Sequence, residues 1–200
     1  MMIMPGNNGS GIVHFLIGRY PDKIAWINSP MQYKKPPPYM PYALDNGVFT
    51  NWQPDKFMCM LDKTKLLHPP LFIVVPDVVG DAGATLIKWH KWQERVTPYG
   101  ALAFACQDGC NPQDVPPEAY CCFIGGTTEW KLQNAHRFKG VCPWLHVGRV
   151  NSPNRVLWAE SIGADSIDGT GFFRDGVNGK RAVFLEEYIT GEYKQKRLFQ

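Results

Sequence analysis

The sequence lacks any apolar run long enough to cross a bilayer. Its longest runs, such as the five residues 71–75, are short, whereas a membrane-spanning helix needs roughly 20 apolar residues. No positively charged segment followed by an apolar segment and a cleavage site opens the chain. These absences predict a soluble protein that is not exported.

The chain also lacks a large excess of one charge. Lysine and arginine number 21 against 18 aspartate and glutamate residues, so the formal net charge is only +3. A nucleic-acid partner would therefore be held by local basic patches rather than by the field of the whole molecule. Hydrophobic residues make up 44% and charged residues 20%, which is a globular mix and excludes a disordered chain. The length predicts a single domain over residues 1–200.

The cysteines do not form the pattern of a metal site or a disulfide framework. A chain of 200 residues can build a core without disulfides, and nothing marks secretion, so free thiols in a reducing cytosol are expected. Cys106 and Cys110 have no second pair at zinc-finger spacing. The sequence therefore predicts no metal site. The six cysteines are Cys59, Cys106, Cys110, Cys121, Cys122 and Cys142.

Short apolar runs that end in small polar residues and glycine recur along the chain. Because these runs are continuously apolar rather than alternating, they are typical of strands covered on both faces. Two earlier runs, 12–17 and 24–27, are also predicted as strands, which makes eight. The six recurring runs are 41–47, 71–80, 101–109, 121–126, 144–148 and 166–169.

Helical patterns separate the later runs, at 53–67, 84–96, 127–138, 153–162 and 180–190. Strands that alternate with helices predict a parallel sheet. The fold class we predict is α/β, a compact (β/α)8 TIM-like barrel with some short or missing helices around the first three strands. An open doubly wound sheet is the alternative, but no glycine-rich dinucleotide motif follows the first run.

In a parallel barrel the carboxyl ends of the strands meet at one mouth, so the polar residues that end each run are candidate site residues. For any one of them the alternative is a plain turn former. Several such residues together favour a site. The set is Asp45, Asp77, Asp81, Gln107, Asp108, Gly125, Gly126, His146, Asp165 and Asp168.

Two carboxylates that face each other across a pocket can divide the chemistry of a glycosidic bond. One attacks the anomeric carbon and the other moves protons; Asp168 and Asp45 are the candidate pair. An ionised aspartate also accepts hydrogen bonds from N1–H and the exocyclic amine of guanine, while an amide or backbone N–H donates to O6. Asp77, Gln107 and Gly126 suit those roles.

Over about residues 42–170 these motifs resemble the tRNA-guanine transglycosylases, and most closely their short phage relatives that place 7-deazaguanines into DNA. The stretch DNGVF at 45–49 is similar to the family's Asp-Ser-Gly-Gly-aromatic segment. This implies Asp45 as the proton-transfer carboxylate and Phe49 as one wall of a base sandwich. Asp77 in VVPDVV resembles the base-recognising aspartate, and Gln107 lies in QDG, which is similar to Gln-Gly-Gly.

Three further segments extend the resemblance. IGG, with Gly125 and Gly126, matches a turn whose backbone N–H would touch the base carbonyl. LHVG resembles the segment that supplies the opposite wall, with His146 in place of the usual methionine. GADSID is similar to Gly-x-Asp-x-x-Asp, which implies Asp168 as nucleophile and places Asp165 among the substrate-binding residues.

Two departures from the family bear on the polymer. GTGFFR at 169–174 replaces a Cys-Val-Leu-Pro-Thr-Arg type segment, and no cysteine after Cys142 can supply the family's C-terminal zinc subdomain. DNA is therefore expected rather than tRNA. Basic residues near helix N-termini are predicted to contact phosphates, the alternative being an ordinary solvated rim. They are Arg149, Arg155, Arg174, Lys180 and Arg181.

The sequence thus predicts exchange of guanine in DNA for a 7-deazaguanine through a covalent aspartyl-glycosyl intermediate. The acceptor would be a free 7-deazaguanine base such as a preQ0-type nitrile, with no metal or organic cofactor and no membrane partner. We expect a cytoplasmic protein, in the host cytoplasm if a phage encodes it. Two alternatives stay open: an N-glycoside hydrolase acting on a purine nucleoside or nucleic acid, and a catalytically silent nucleic-acid or base-binding module.

Overall fold

Eight parallel strands form one sheet in the computed structural model, which describes residues 1–6, 11–172 and 179–193. In chain order they are β1 (Met2–Met4), β2 (Trp26–Asn28), β3 (Tyr42–Leu44), β4 (Ile73–Val74), β5 (Leu102–Cys106), β6 (Cys121–Ile124), β7 (Trp144–Val147) and β8 (Ser166–Asp168). The order in the sheet is β1-β8-β7-β6-β5-β4-β3-β2. The edge strand β1 contacts the segment just before the other edge strand, β2, through an isolated parallel bridge between Ile3 and Ile24, so the barrel is nearly closed.

Six α-helices lie in the described part of the chain: α1 (Gly11–Arg19), α2 (Pro54–Thr64), α3 (Ala82–Val96), α4 (Thr128–Asn134), α5 (Pro153–Ser161) and α6 (Lys180–Thr190). The predicted (β/α)8 TIM-like barrel is confirmed, and its five predicted helices are present as α2 to α6. The connection from β2 to β3 has no helix, as expected near the first strands. A second gap, between β5 and β6, was not predicted; only the single 3-10 turn Pro112–Asp114 lies there.

The prediction for the first strand is wrong. Residues 12–17 form part of α1, and the first strand is instead Met2–Met4. Val13, Leu16 and Ile17 are buried while Phe15 is 51% exposed. This i, i+3, i+4 spacing is the buried stripe of a helix, and a short apolar run of this kind does not separate helix from strand by hydrophobicity alone.

Alternate residues of the strands fall into two buried clusters, as the period of two in a strand requires. The larger cluster packs the outside of the sheet against the helices. The smaller one fills the interior of the barrel with small side chains such as Ala43, Ala103 and Ala105 and the larger ring of Phe72. All six cysteines are free, and five of them are buried. No helix within residues 1–6, 11–172 and 179–193 is long and apolar enough to span a membrane.

Candidate active site

A cavity of about 650 Å³ opens at the carboxyl ends of the strands, and both Asp45 and Asp168 line it. Asp45 directly follows β3, and Asp168 is the last residue of β8. A smaller neighbouring pocket shares both carboxylates and adds Asp77 and Gln107. The volume lies in the ~300–1,000 Å³ range typical of small-molecule sites. The strand-end residues therefore converge on one mouth, as parallel topology requires.

Asp45 is held at the end of β3 by its backbone, whose N–H donates to the Asn28 carbonyl at 2.7 Å. Burial first, and then the negative charges of Asp168 and Asp77, raise the pKa of Asp45 to about 7. Backbone N–H groups of Gly47 and Asn46 oppose the change. A carboxyl group in this state can both give and take a proton near neutral pH.

The Asp168 carboxylate is fixed through one oxygen, Oδ1. That atom accepts a hydrogen bond from the backbone N–H of Arg149 and lies 3.9 Å from Nε2 of His146. Arg149 has a φ of 60°, the one positive φ of a non-glycine residue in the described chain. Bulky residues seldom adopt this conformation, so the backbone of the turn after β7 is strained. In this conformation the N–H of Arg149 points toward the carboxylate of Asp168.

A hydrogen-bonded network surrounds the buried carboxylate of Asp77. Asn46 Nδ2 donates to its Oδ1 at 2.7 Å, and Gln107 Nε2 donates to its Oδ2 at 2.5 Å. The side-chain oxygen of Gln107, Oε1, in turn accepts hydrogen bonds from the backbone N–H groups of Gly80 at 2.9 Å and Gly126 at 2.8 Å. Burial raises the pKa of Asp77, while the two amide donors act against that rise. The network fixes which end of the Gln107 amide faces Asp77.

This network changes the role expected for Gly126. Its N–H already donates to Gln107, so it is not open to a base carbonyl in this arrangement. Gln107 uses one proton of its amide group on Asp77, which leaves the second for a ligand. Asn46 was not predicted as a site residue, because its place in Asp-Asn-Gly also suits a turn; its Oδ1 does accept the N–H of Val48 at 2.9 Å.

The two glycines after β6 are required by close packing. A Cβ on Gly125 would lie 2.5 Å from Nε2 of Gln107, and one on Gly126 would lie 2.4 Å from Oδ1 of Asp108. Gly126 also has a φ of +65°, which favours glycine. Gly125 therefore leaves room for the amide of Gln107, and Gly126 leaves room for the carboxylate of Asp108.

Phe49 lines the cavity, and its side chain is 62% exposed. The guanidinium carbon of Arg149 lies 4.4 Å from the centre of its ring, and Nη2 of Arg149 donates to the Gly126 carbonyl. Arg149 therefore lies at the mouth beside Phe49 and lines the same two pockets. A base that stacks on this face of Phe49 must displace the guanidinium.

The structure contradicts the roles predicted for His146 and Asp165. His146 is fully buried in the barrel interior, where its ring stacks on Phe123 with centroids 4.7 Å apart, so it cannot form an exposed wall. Asp165 precedes β8 and lies at the amino end of the barrel, opposite the mouth. There it pairs with Lys139 at 3.3 Å and accepts the N–H of Leu145 at 2.8 Å.

The other strand-end acids are structural. Asp81 caps α3 by accepting the N–H of Ala84 at 2.9 Å, and Asp108 accepts the N–H of Thr127 at 2.6 Å. For these two residues the turn and cap interpretation is sufficient.

Of the predicted phosphate contacts, Arg155 lines a narrow cleft with Arg149 and Lys131. Lys131 was not predicted; it is buried, and its Nζ donates to the Gly148 carbonyl at 2.6 Å. Burial, together with Arg149 and Arg155, lowers the pKa of Lys131 to about 8.

Two other predicted phosphate contacts lie in α6. Lys180 is exposed at the start of α6, and Arg181 donates to the Gly171 carbonyl at 3.4 Å. Arg174 lies outside the described residues.

No group of three or more His, Cys, Asp or Glu side chains in the described ranges is arranged to hold a metal ion.

A scan against protein-family models gives no match, and a search of curated proteins gives no significant similarity. The functional interpretation therefore depends on the geometry of the mouth.

Proposed function

We propose that the protein is a base-exchange transglycosylase that replaces guanine in DNA with a 7-deazaguanine derivative. One observation carries the proposal: Asp45 and Asp168, from opposite parts of the sequence, line a single cavity beside a buried aspartate with its amide partners. This is the donor and acceptor set needed to read a guanine and to cleave its glycosidic bond.

In the first half-reaction guanine is flipped out of the stack and enters the smaller pocket. Asp77 accepts hydrogen bonds from N1–H and the exocyclic amine, and the free proton of the Gln107 amide points to O6. Asp168 attacks C1′, so that a C1′–O bond forms as the C1′–N9 bond breaks. The electron pair leaves with the base, and Asp45 supplies the proton that makes the departing guanine neutral.

In the second half-reaction a 7-deazaguanine occupies the emptied pocket. Its N9 attacks C1′, the ester to Asp168 breaks, and the carboxylate is regenerated. The N9 proton goes to Asp45, which is ionised after the first step. Because Asp45 must give and then take a proton, a pKa of about 7 suits both steps near neutral pH.

The choice of DNA comes from the resemblance of the motifs to the short DNA-modifying relatives, and the choice of a cytoplasmic location comes from the six free cysteines. The flat ring of Phe49 and the guanidinium of Arg149 supply surfaces for a base and for the adjoining phosphate.

The test is nucleoside mass spectrometry of DNA and of tRNA from cells that express the protein with a 7-deazaguanine supply. We expect the deazapurine in DNA; its appearance in tRNA alone would overturn the choice of polymer. In vitro, an oligonucleotide incubated with labelled guanine should gain label. Abasic sites without label would instead identify a hydrolase, and base binding without turnover would identify a silent binding module.

A further inference from the structure

A line of hydrogen-bonding groups runs through the barrel interior to Asp168. Trp144 and His146 of β7 and Ser166 of β8 form it, and His146 and Ser166 are partners in the strand register. Trp144 Nε1 donates to Ser166 Oγ at 2.7 Å, and Ser166 Oγ lies 2.7 Å from His146 Nδ1. The other ring nitrogen, Nε2, lies 3.9 Å from Oδ1 of Asp168.

The direction of these bonds follows from what each group can donate. The indole of Trp144 has only an N–H, so Ser166 Oγ must accept from it. The hydroxyl proton of Ser166 then needs an acceptor, and among the described residues the one within hydrogen-bond distance is Nδ1 of His146. A neutral imidazole that accepts at Nδ1 carries its proton on Nε2.

The Nε2–H group of this tautomer has no hydrogen-bond partner within the described residues, although it is fully buried. The aromatic rings of Phe72 and Phe123, with centroids 5.1 and 4.7 Å from that of His146, offer it none. A buried donor without a partner is uncommon and calls for an explanation. The carboxylate of Asp168 lies less than 1 Å beyond a normal hydrogen bond, and catalytic hydrogen bonds often tighten only in the reacting complex.

We propose that His146 is a positioning residue for Asp168, locked by Ser166 and Trp144 as the Nε2–H tautomer so that it donates a hydrogen bond to the nucleophile during base exchange. The role of this bond rests on the proposed function. Nε2 of His146 and the backbone N–H of Arg149 both lie beside Oδ1 of Asp168. The oxygen of Asp168 that attacks C1′ is therefore Oδ2.

This arrangement predicts which half-reaction His146 assists. A donor to Oδ1 stabilises the carboxylate more than the glycosyl ester, because the carboxylate bears the negative charge. It therefore favours the step in which the C1′–O bond breaks and Asp168 regains its charge. Without the donor the covalent glycosyl-enzyme should accumulate.

The tautomer is tested first, by a measurement that does not depend on activity. The full chain labelled with ¹⁵N-histidine is examined by NMR, and His146 is assigned by the signal missing from His146→Gln. We expect the proton of His146 on Nε2, and a mixture of tautomers in Ser166→Ala. A proton on Nδ1 in the wild type would overturn the inference, even if base exchange is observed.

The role is tested by comparing His146→Met with His146→Gln, whose side-chain N–H can still reach Asp168. During exchange on an oligonucleotide, His146→Met should lower kcat about 10- to 100-fold, leave KM little changed and raise the fraction of covalent adduct, and His146→Gln should restore part of both. The packing control is Phe72→Leu, which contacts the same ring and should lower thermal stability without changing the adduct fraction.

These outcomes separate the inference from the proposed function. A wild-type protein that exchanges bases while His146→Met keeps the wild-type rate and adduct level overturns the inference alone. A wild type without exchange overturns the proposed function and with it the role of His146. If His146→Met does not fold, Ser166→Ala provides the test. Without the Ser166 hydroxyl, His146 is no longer held as the Nε2–H tautomer, and the fraction of covalent adduct should rise. An unchanged adduct fraction would contradict the inference.

Discussion

Asp45 and Asp168 line the same cavity, where burial first and the negative charges of Asp168 and Asp77 second raise the pKa of Asp45 to about 7. Two acids in one pocket can hold different protonation states at the same pH, which is the usual way in which one site performs both nucleophilic attack and proton transfer. Because the raised pKa means that the folded state disfavours the ionised form of Asp45, ionisation of Asp45 lowers the free energy of unfolding.

The first prediction is that Asp45→Asn stabilises the protein at alkaline pH. An unfolded aspartate has a pKa of about 3.9, so between about pH 4 and pH 7 the folded state keeps a proton that the unfolded state releases. The free energy of unfolding therefore falls as pH rises through this window. Asparagine does not ionise, and at pH 8 the variant should be more stable by roughly 2–4 kcal/mol.

Chemical denaturation from pH 4 to pH 8 measures this difference, which should shrink toward pH 4. Asp22→Asn, at an exposed position, is the matched control for the change in net charge and should follow the wild type. Equal stability of Asp45→Asn and wild type at every pH would contradict the burial of the Asp45 charge.

The second prediction concerns the close packing of Gly125. In Gly125→Ala the new Cβ would meet Nε2 of Gln107 at 2.5 Å, so the amide must move away from Asp77. We expect weaker binding of guanine, measured as a KM raised about tenfold, since the loss of one charge-assisted hydrogen bond is worth about 1.5–3 kcal/mol. Gly18→Ala, in a helix with open space around it, is the control and should keep the wild-type KM; the same KM in both variants would refute the role of Gln107.

The third prediction is that Asp77 selects the base. Asp77→Asn removes one of the two carboxylate acceptors that face N1–H and the exocyclic amine, so kcat/KM for guanine should fall about 10- to 100-fold. Asp81→Asn at the same mouth should behave as wild type, because asparagine also caps a helix. Competition between guanine and hypoxanthine, which lacks the exocyclic amine, measures selectivity. If the preference for guanine over hypoxanthine is the same in Asp77→Asn and in the wild type, a residue other than Asp77 selects the base.

The fourth prediction concerns the thiols. Five of the six cysteines are buried and only Cys59, on α2, is exposed. A thiol-specific reagent should therefore modify one cysteine quickly in the native protein and six after denaturation. Peptide mapping should find the native label on Cys59. Rapid native modification of Cys122 or Cys142 would contradict the burial of these two thiols.

The strand-end rule located much of the site from sequence alone. Asp45, Asp77 and Gln107 follow their strands within a few residues, and the parallel topology carries each of them to the same mouth. The rule failed for Asp165 because it lies before its strand rather than after it. It failed for His146 because this residue lies inside β7, where the pleat turns its side chain into the barrel.

The rest of the site depends on contacts that a pattern of residue types does not contain. Arg149 contacts Phe49, Gly126 and Asp168 from a backbone with a positive φ, a conformation that is unusual for arginine and has no sequence signal. Asn46 resembles an ordinary turn residue until Asp77 is seen beside it. The order of the strands was predictable, whereas these hydrogen bonds between distant segments were not.

The most direct test of the account is to trap the covalent intermediate. The protein is mixed with a guanine-containing oligonucleotide without an added acceptor base, quenched in acid, and digested for peptide mass spectrometry. We expect a DNA adduct on the peptide that contains Asp168, and neither adduct nor exchange with Asp168→Asn. Full exchange by Asp168→Asn, or an adduct mapped to another residue, would contradict the assignment of Asp168 as the nucleophile.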